Sequence, residues 1–486
     1  MTSIGWRFDH SYARLPEALF ARVEPARARA PKLVRFNHAL AASMGLDARS
    51  AEPQSLADML SGNALPEGAL PIAQAYAGHQ FGHFAMLGDG RALLAGEHLC
   101  PDGRRLDIHL KGSGPTPFSR RGDGRAALGP MLREYVVSEA MHGLGIPTSR
   151  SLAVVATGEA VFRESLLDGA VLTRVASSHL RVGTFEYAAA RDDPALLQAL
   201  IQYTIDRHYP ECAHAERPAL ALLEAVIDRQ ASLIVQWLRV GFIHGVMNTD
   251  NMSLCGETID YGPCAFLERY DPAIAFSSID HGKRYAFGNQ PSIAQWNLAR
   301  FAEALLPAID SDPDQSLALA EAAINRFADL YRTRQVDMMR AKLGLGGSAD
   351  GDEGLITDFL DWMRQTDADY TNSFVMLREG RIEPARLSTD PRLAAWHARW
   401  QARLQETGEP ANATLARLKV SNPIYIPRNH RVEAALDAAT GPASDLGPFE
   451  RLLEVIANPY EARSGLEAYT TPAPDGGRGH QTFCGT

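Results

Sequence analysis

Disulfide chemistry and membrane spans are what this sequence has least material for. Its 486 residues include only five cysteines: Cys100, Cys212, Cys255, Cys264 and Cys484. The count is odd and no C-x-x-C pair occurs. Neither a secreted disulfide framework nor a zinc site is indicated. No run approaches the ~18 apolar residues of a membrane helix. The opening MTSIGWRFDH lacks the apolar core of a signal peptide. The expected setting is a reducing cytoplasm, with no membrane partner. An excess of positive charge is also missing: 48 Lys and Arg stand against 58 Asp and Glu, a net charge of -10. This argues against a general affinity for nucleic acid, which needs a basic surface. With 45% hydrophobic and 22% charged residues, the chain reads as globular, long enough for two or three domains.

One stretch runs against the acidic average. Between Lys111 and Arg133 there is no Glu and one Asp, Asp123, but there are Arg120, Arg121 and Arg125. Such a segment suits a polyanion such as a nucleotide; the alternative is a solvated basic face.

Pattern divides the chain into three parts. Residues 1–70 carry no chemical motif and are expected to form an N-terminal extension. Residues 71–184 read as a mostly antiparallel sheet with one principal helix. FGHFAMLGDGRALLAGEHL (81–99) reads as strand, turn, strand, with Asp89-Gly90 at the hairpin turn. RRLDIHLKGSG (104–114) alternates Leu106, Ile108 and Leu110 with Asp107, His109 and Lys111, a strand with a lysine at its end. RAALGPMLREYVVSEAMHGLGIP (125–147) reads as a helix with Pro130 in its first turn. Residues 185–486 turn helical, with 219–241 an amphipathic or buried helix ending at Gly241. A sheet-rich lobe followed by a helix-rich lobe is an α+β arrangement, and the cleft between them is the default site.

The chemistry concentrates in FIHGVMNTDNMSLCGETIDYGPCAFLERYDP (242–272). Asn248, Asp250 and Asn251 crowd one loop, and Asp260-Tyr261-Gly262 follows nine residues later. Mg²⁺ takes few protein carboxylates and keeps waters and phosphate oxygens. Asn251 and Asp260 suit such a metal, with Asp250 as a base; an Asx-rich turn is the plainer reading. His244 reads as a structural loop histidine. In order, the chain presents a strand lysine, Lys111, a helix glutamate, Glu134 (Glu139 is its rival), an H-G-x-x-x-x-D-N loop and D-Y-G. The set resembles that of protein kinases. It departs from them at Val246, where kinases keep the Asp that takes the substrate's proton.

Five blocks make the resemblance specific: AYAGHQFGHFAMLGDGRA, LKGSGPTPFSRRGDGRAALGPMLREYVVSEAMHGLGIPT, LTRVASSHLRVGTFE, FIHGVMNTDNMS and IDYGPCAFLERYDP. Together they closely resemble the selenoprotein O family, over nearly the whole chain. The resemblance implies a kinase-like two-lobed fold and transfer of AMP, or UMP, from ATP or UTP to Ser, Thr or Tyr of proteins, with Mg²⁺ or Mn²⁺. It implies that Lys111 binds phosphate and pairs with Glu134, and that Arg174 and Arg181 hold a nucleotide flipped relative to kinases. Gly88, Gly90, Arg91, Asp123 and Gly124 become further nucleotide contacts, Asp250 the base, and Asn251 and Asp260 the metal ligands. Family members often end in Cys or selenocysteine, which makes Cys484 a redox candidate, with Cys264 as a conceivable partner. A monomer acting on protein substrates is expected. A kinase and a non-catalytic ATP-binding module stay open as alternatives.

Overall fold

The computed structural model describes residues 4–382 and 384–483. The first half of the chain builds a nine-stranded antiparallel sheet. Its central path runs through Phe20–Arg22, Ile72–Gln74, Ala92–Leu99, Arg105–Lys111, Leu166–Ala176, Arg150–Phe162 and Lys32–Phe36. Phe8–Asp9 pairs with the third of these strands and Ala126–Ala127 with the fifth. Three strands thus come from residues 8–36, inside the segment expected to be an extension. Their partners lie far along the chain: Arg35 pairs with Val154 and Ala21 with Ala73.

The strand Arg105–Lys111 forms where its alternation places it, but both of its faces are buried. Leu106 and Ile108 join Val175, Leu152 and two short helices, His38–Ser43 and Pro53–Ser61, in one apolar cluster. Asp107, His109 and Lys111 point to the other side, toward the main core. In the antiparallel register Lys111 lies opposite Leu172, and Arg174 opposite His109. Opposed residues share a face, so Arg174 and Lys111 project to the same side, one step apart.

On that side lies the helix Leu128–Gly143, with Pro130 in its first turn. Its buried stripe includes Met131, Leu132, Tyr135, Val136 and Ala140, but also Glu134. A carboxylate in an apolar stripe requires a charged partner.

The Asp89-Gly90 expectation needs correction. The turn of this hairpin is Phe81-Gly82, between Ala77–Gln80 and His83–Met86. The amides of Leu87 and Asp89 then bond to the carbonyls of Tyr76 and Gln74. Asp89 sits at the hairpin's base, where its carboxylate accepts from the Gln74 amide at 3.0 Å. Two residues of positive φ, Phe81 (51°) and Gly82 (87°), fit a tight hairpin turn better than Asp89-Gly90 does.

From Val182 onward the chain is helical. The helix Pro218–Val240 ends at Gly241, whose φ of 75° is the left-handed conformation that stops a helix. The short pair Phe242–Ile243 and Ala265–Phe266 brackets the loop segment that carries the chemistry. Asn429–Thr440 and Gly447–Ile456 fold back onto Leu128–Gly143. No helix among the described residues is long and apolar enough to cross a membrane.

Candidate active site

Four elements converge on one cluster of charges. Lys111 Nζ lies 2.7 Å from Glu134 Oε2 and 2.9 Å from Asp260 Oδ1. Arg174 donates to Glu134 Oε1 at 2.7 Å and to Asp260 Oδ1 at 2.6 Å. Arg181 faces Asp260 Oδ2 at 3.5 Å and donates to the Asp250 carbonyl at 2.9 Å. Its guanidinium lies over the Tyr76 ring, 4.3 Å from the centroid. Glu139, the rival for Lys111, is engaged elsewhere, with Arg150 and Asn37.

Three cations share two carboxylates in a buried setting, where electrostatics act strongly. Burial opposes the charged form of Glu134, yet Arg174 and Lys111 outweigh it and hold its pKa below the usual range. Burial likewise opposes ionisation of Asp260, but Arg174, Lys111 and Arg181 hold its carboxyl well below the usual value. Both carboxylates therefore remain charged at neutral pH, leaving the cluster one positive charge in excess. Asp260 also adopts a φ of 60°, a conformation that non-glycine residues seldom take and that clusters at functional sites.

Asp250 is the opposite case. It sits in the turn Thr249–Asn251, buried, and its Oδ1 has no hydrogen-bond partner. Burial pushes its pKa up to about 6, with Arg181 pulling against that rise. The hairpin strand Ala77–Gln80 lies directly on it: a Cβ built on Gly78 would fall onto Asp250 Oδ1. Beside it, Asn251 Nδ2 donates to the Val246 carbonyl at 3.0 Å, which leaves the amide oxygen to accept or to ligate. Val246 is buried and apolar. His244 is buried, bonding to the Ile259 carbonyl at 2.9 Å, a structural loop histidine.

The donor set suits a hard cation. Among the described residues no cluster of three or more His, Cys, Asp or Glu side chains could hold a metal. Mg²⁺ does not need one, since one or two carboxylates plus phosphate oxygens suffice. Asp260 Oδ2 meets Arg181 at a long 3.5 Å, and Asn251 offers an amide oxygen.

The remaining residues expected at the site lie on loops. Gly88 packs against the Phe118 ring with no room for a side chain, and Gly90 lies close to the Phe118 carbonyl. The Arg91 carbonyl accepts from the Gly112 amide, joining this loop to the end of the lysine strand. Asp123 pairs with Arg163 at 2.9 Å, and Gly124 closes on Gly114. These contacts do not join Asp123 to the buried cluster. The basic stretch is not one face: Lys111 is buried and Arg133 partly so, and only Arg120 and Arg121 among its cations are exposed.

Two groups escaped the sequence reading. Glu186 bonds to the His79 ring and accepts from Thr249 Oγ1 at 2.5 Å, and the His79 amide donates to Thr249 at 2.7 Å. This ties the hairpin to the Asp250 turn. Beneath the sheet, His109 and His179 stack at 4.2 Å, flanked by Asp89 and Asp107. The only sequence signal for either was polar residues inside apolar patterns.

Cys484 lies outside the described residues. The tail reaches the site's flank, where Thr482 bonds through its backbone to Phe276 and Ser278 and through its hydroxyl to the Pro263 carbonyl. Cys264 is a buried free thiol whose pKa burial pushes up to about 11.

Residues 3–457 match the family described as protein adenylyltransferase SelO. Curated relatives named protein nucleotidyltransferase YdiU align over their whole length. The one from Nitrosococcus oceani is 54% identical, covering 99% of this chain and 98% of that protein. That from Brevibacillus brevis is 55% identical, with the same coverage. A solved structure described as ROP2 from Toxoplasma gondii, with a protein-kinase fold and no enzymatic activity, covers 72% of the chain and 90% of its own. Its TM-score is 0.27 and its identity 10%. The family match and the relatives agree on one activity, and the chain belongs to the SelO family of protein nucleotidyltransferases.

Proposed function

We propose that this enzyme transfers AMP from ATP to Ser, Thr or Tyr hydroxyls of proteins, using Asp250 as base. The single observation that carries the reading is the orphaned, buried Oδ1 of Asp250, whose pKa of about 6 lies beside a cluster one positive charge in excess. A base with that pKa is largely ionised at pH 7 and retains proton affinity. The acceptor hydroxyl gives its proton to Asp250 as its oxygen bonds to the α-phosphorus. The bond from that phosphorus to the bridging oxygen breaks, and pyrophosphate leaves. Lys111, Arg174 and Arg181 provide fixed cations for the β- and γ-phosphates, the arginines as planar forks. Asn251 and Asp260 would hold Mg²⁺ or Mn²⁺, which would neutralise charge on the departing pyrophosphate. Gly88, Gly90, Arg91, Asp123 and Gly124 are proposed as further nucleotide contacts. The sheet-rich and helix-rich halves would act as the two lobes of a kinase-like cleft. A monomer in a reducing cytoplasm is the proposed setting, in keeping with the free thiols of Cys100, Cys212, Cys255 and Cys264.

The kinase alternative would move the γ-phosphate instead. Val246 speaks against it, since an apolar side chain fills the position of the kinase base. ATP labelled on the α-phosphate is expected to mark acceptor proteins, whereas γ-labelled ATP leaves them unmarked. Predominant γ-label transfer would overturn the proposal. Tight ATP binding with no transfer under Mg²⁺ or Mn²⁺ would favour a non-catalytic binding module. UTP labelled on the α-phosphate, run in parallel, separates UMP from AMP transfer.

A further inference from the structure

Glu134 and Asp260 share Lys111 and Arg174, yet they sit on different parts of the chain: one on the helix Leu128–Gly143, the other on the D-Y-G segment. The shared contacts of 2.6 to 2.9 Å exist only while helix and segment keep a fixed separation. Lys111 and Arg174 bridge the two carboxylates directly, and a second tie between helix and segment lies outside the cluster.

Arg133, the residue before Glu134, provides that tie. Its Nε donates to the Gly262 carbonyl at 3.2 Å and its Nη2 to the Cys264 carbonyl at 2.9 Å. Gly262 is two residues beyond Asp260, and its amide bonds to the Asp260 carbonyl at 2.9 Å. The third nitrogen, Nη1, reaches Glu433 on the C-terminal helix Asn429–Thr440 at 2.5 Å. All three nitrogens of one guanidinium are used, each on a different backbone or side-chain group. A lysine has a point charge and no such fork.

The helix is held at other points too. The Tyr135 ring lies 6.0 Å from that of Phe449. Gly143 abuts the Ile456 carbonyl so closely that a side chain would collide with it. Leu144, just past the helix end, accepts from Arg239 at 2.7 Å and from the Tyr460 hydroxyl at 3.0 Å.

We propose that Arg133 is a positioning residue for the nucleotide site, oriented by Glu433. It helps to set the distance between the Glu134 carboxylate and the Asp260 segment, and the C-terminal helices brace it. The inference rests on reading the Lys111–Glu134–Asp260 cluster as the nucleotide and metal site.

The full chain would be compared as Arg133→Ala, Arg133→Lys and Glu433→Gln, with Arg451→Ala as a surface control on the neighbouring helix. Two readouts are needed: equilibrium binding of ATP with and without Mg²⁺, and the split between kcat and KM for the acceptor. Both Arg133 variants are expected to lose about tenfold in the Mg²⁺-dependent part of ATP binding and about 10- to 100-fold in kcat. KM for the acceptor and metal-free ATP binding should stay within about twofold. Glu433 is partly exposed, so Glu433→Gln should fold normally and show the same pattern at about two- to fivefold. Arg451→Ala should show no change. Wild-type behaviour in Arg133→Lys would overturn the inference, since charge alone would then suffice. So would an equal loss in every parameter together with Tm, which marks mere loss of folded protein. If the wild type bound Mg²⁺ and ATP but transferred no AMP, the proposed function would fall while the binding comparison still decided the role of Arg133.

Discussion

Asp250 and Asp260 are ten residues apart, yet their surroundings drive their ionisation in opposite directions. Asp260 keeps its charge because three cations surround it. Asp250 has the Arg181 guanidinium directed at its carbonyl, and its Oδ1 is orphaned, with Gln80 the side chain that bonds to the carboxylate. With a pKa of about 6 against an ordinary 3.8, the folded state binds the Asp250 proton more tightly than the unfolded state does. Stability linked to this group is therefore full below pH ~3.8, falls between there and about 6, and is flat above. The loss amounts to about 3 kcal/mol as an upper figure. Asp250→Asn, which stays neutral, is expected to raise Tm at pH 7.5 by several degrees and to leave Tm near pH 4 unchanged. The same variant should abolish transfer. For the wild type, kcat/KM should climb about tenfold per pH unit up to about pH 6 and then level off. A flat profile from pH 5 to 8 would remove Asp250 as the base. Asp250, Asn251 and Asp260 were legible in the sequence because acids and amides crowd a short segment between apolar stretches. Glu186 and His79 were not, because each looks ordinary until the fold brings residues 107 apart together.

At the scale of elements, local pattern read the strand Arg105–Lys111 and the helix Leu128–Gly143 to within a few residues. Both follow from periodicity and end signals that lie within the element itself. The hairpin from Gln74 to Asp89 was misplaced, because Asp-Gly is the stronger local turn signal and Phe81-Gly82 a weak one. Tertiary bonds decide it: the amides of His79 and Phe81 are taken by Thr249 and Asn248. That docking also leaves no room for a side chain at Gly78. A methyl group there would displace Asp250 Oδ1 or lift the hairpin. A displacement of about 1 Å can cost about 10²-fold in rate. Gly78→Ala is therefore expected to lower kcat by roughly that factor, with a stability loss of about 1–3 kcal/mol from overpacking. Parallel measurement of kcat and of the circular-dichroism melt checks this. Wild-type turnover in a well-folded Gly78→Ala protein would mean that the hairpin does not stay on Asp250 during the reaction.

At the scale of the whole molecule, the boundaries read from the sequence at residues 70 and 184 do not coincide with gaps in the core. One apolar cluster runs from Tyr12 through Leu172, Phe185, Phe242 and Phe301 to Phe449 and Ile456. The first 36 residues add strands to the sheet, and the last helices close over Leu128–Gly143. Sequence pattern alone missed this because strand pairing and helix docking across hundreds of residues leave no local signature. A shared core makes the two halves interdependent for stability, unlike domains joined by a linker. Heating is therefore expected to show a single transition by calorimetry, with far-UV circular dichroism and tryptophan fluorescence changing together. Saturating ATP with Mg²⁺ should move that one transition upward, by about 2.7 kcal/mol of added stability at a hundredfold excess over Kd. Two resolved transitions, with only one responding to ATP, would show that sheet and helices unfold separately. The Arg133 brace would then have to act across an interface instead of within one core.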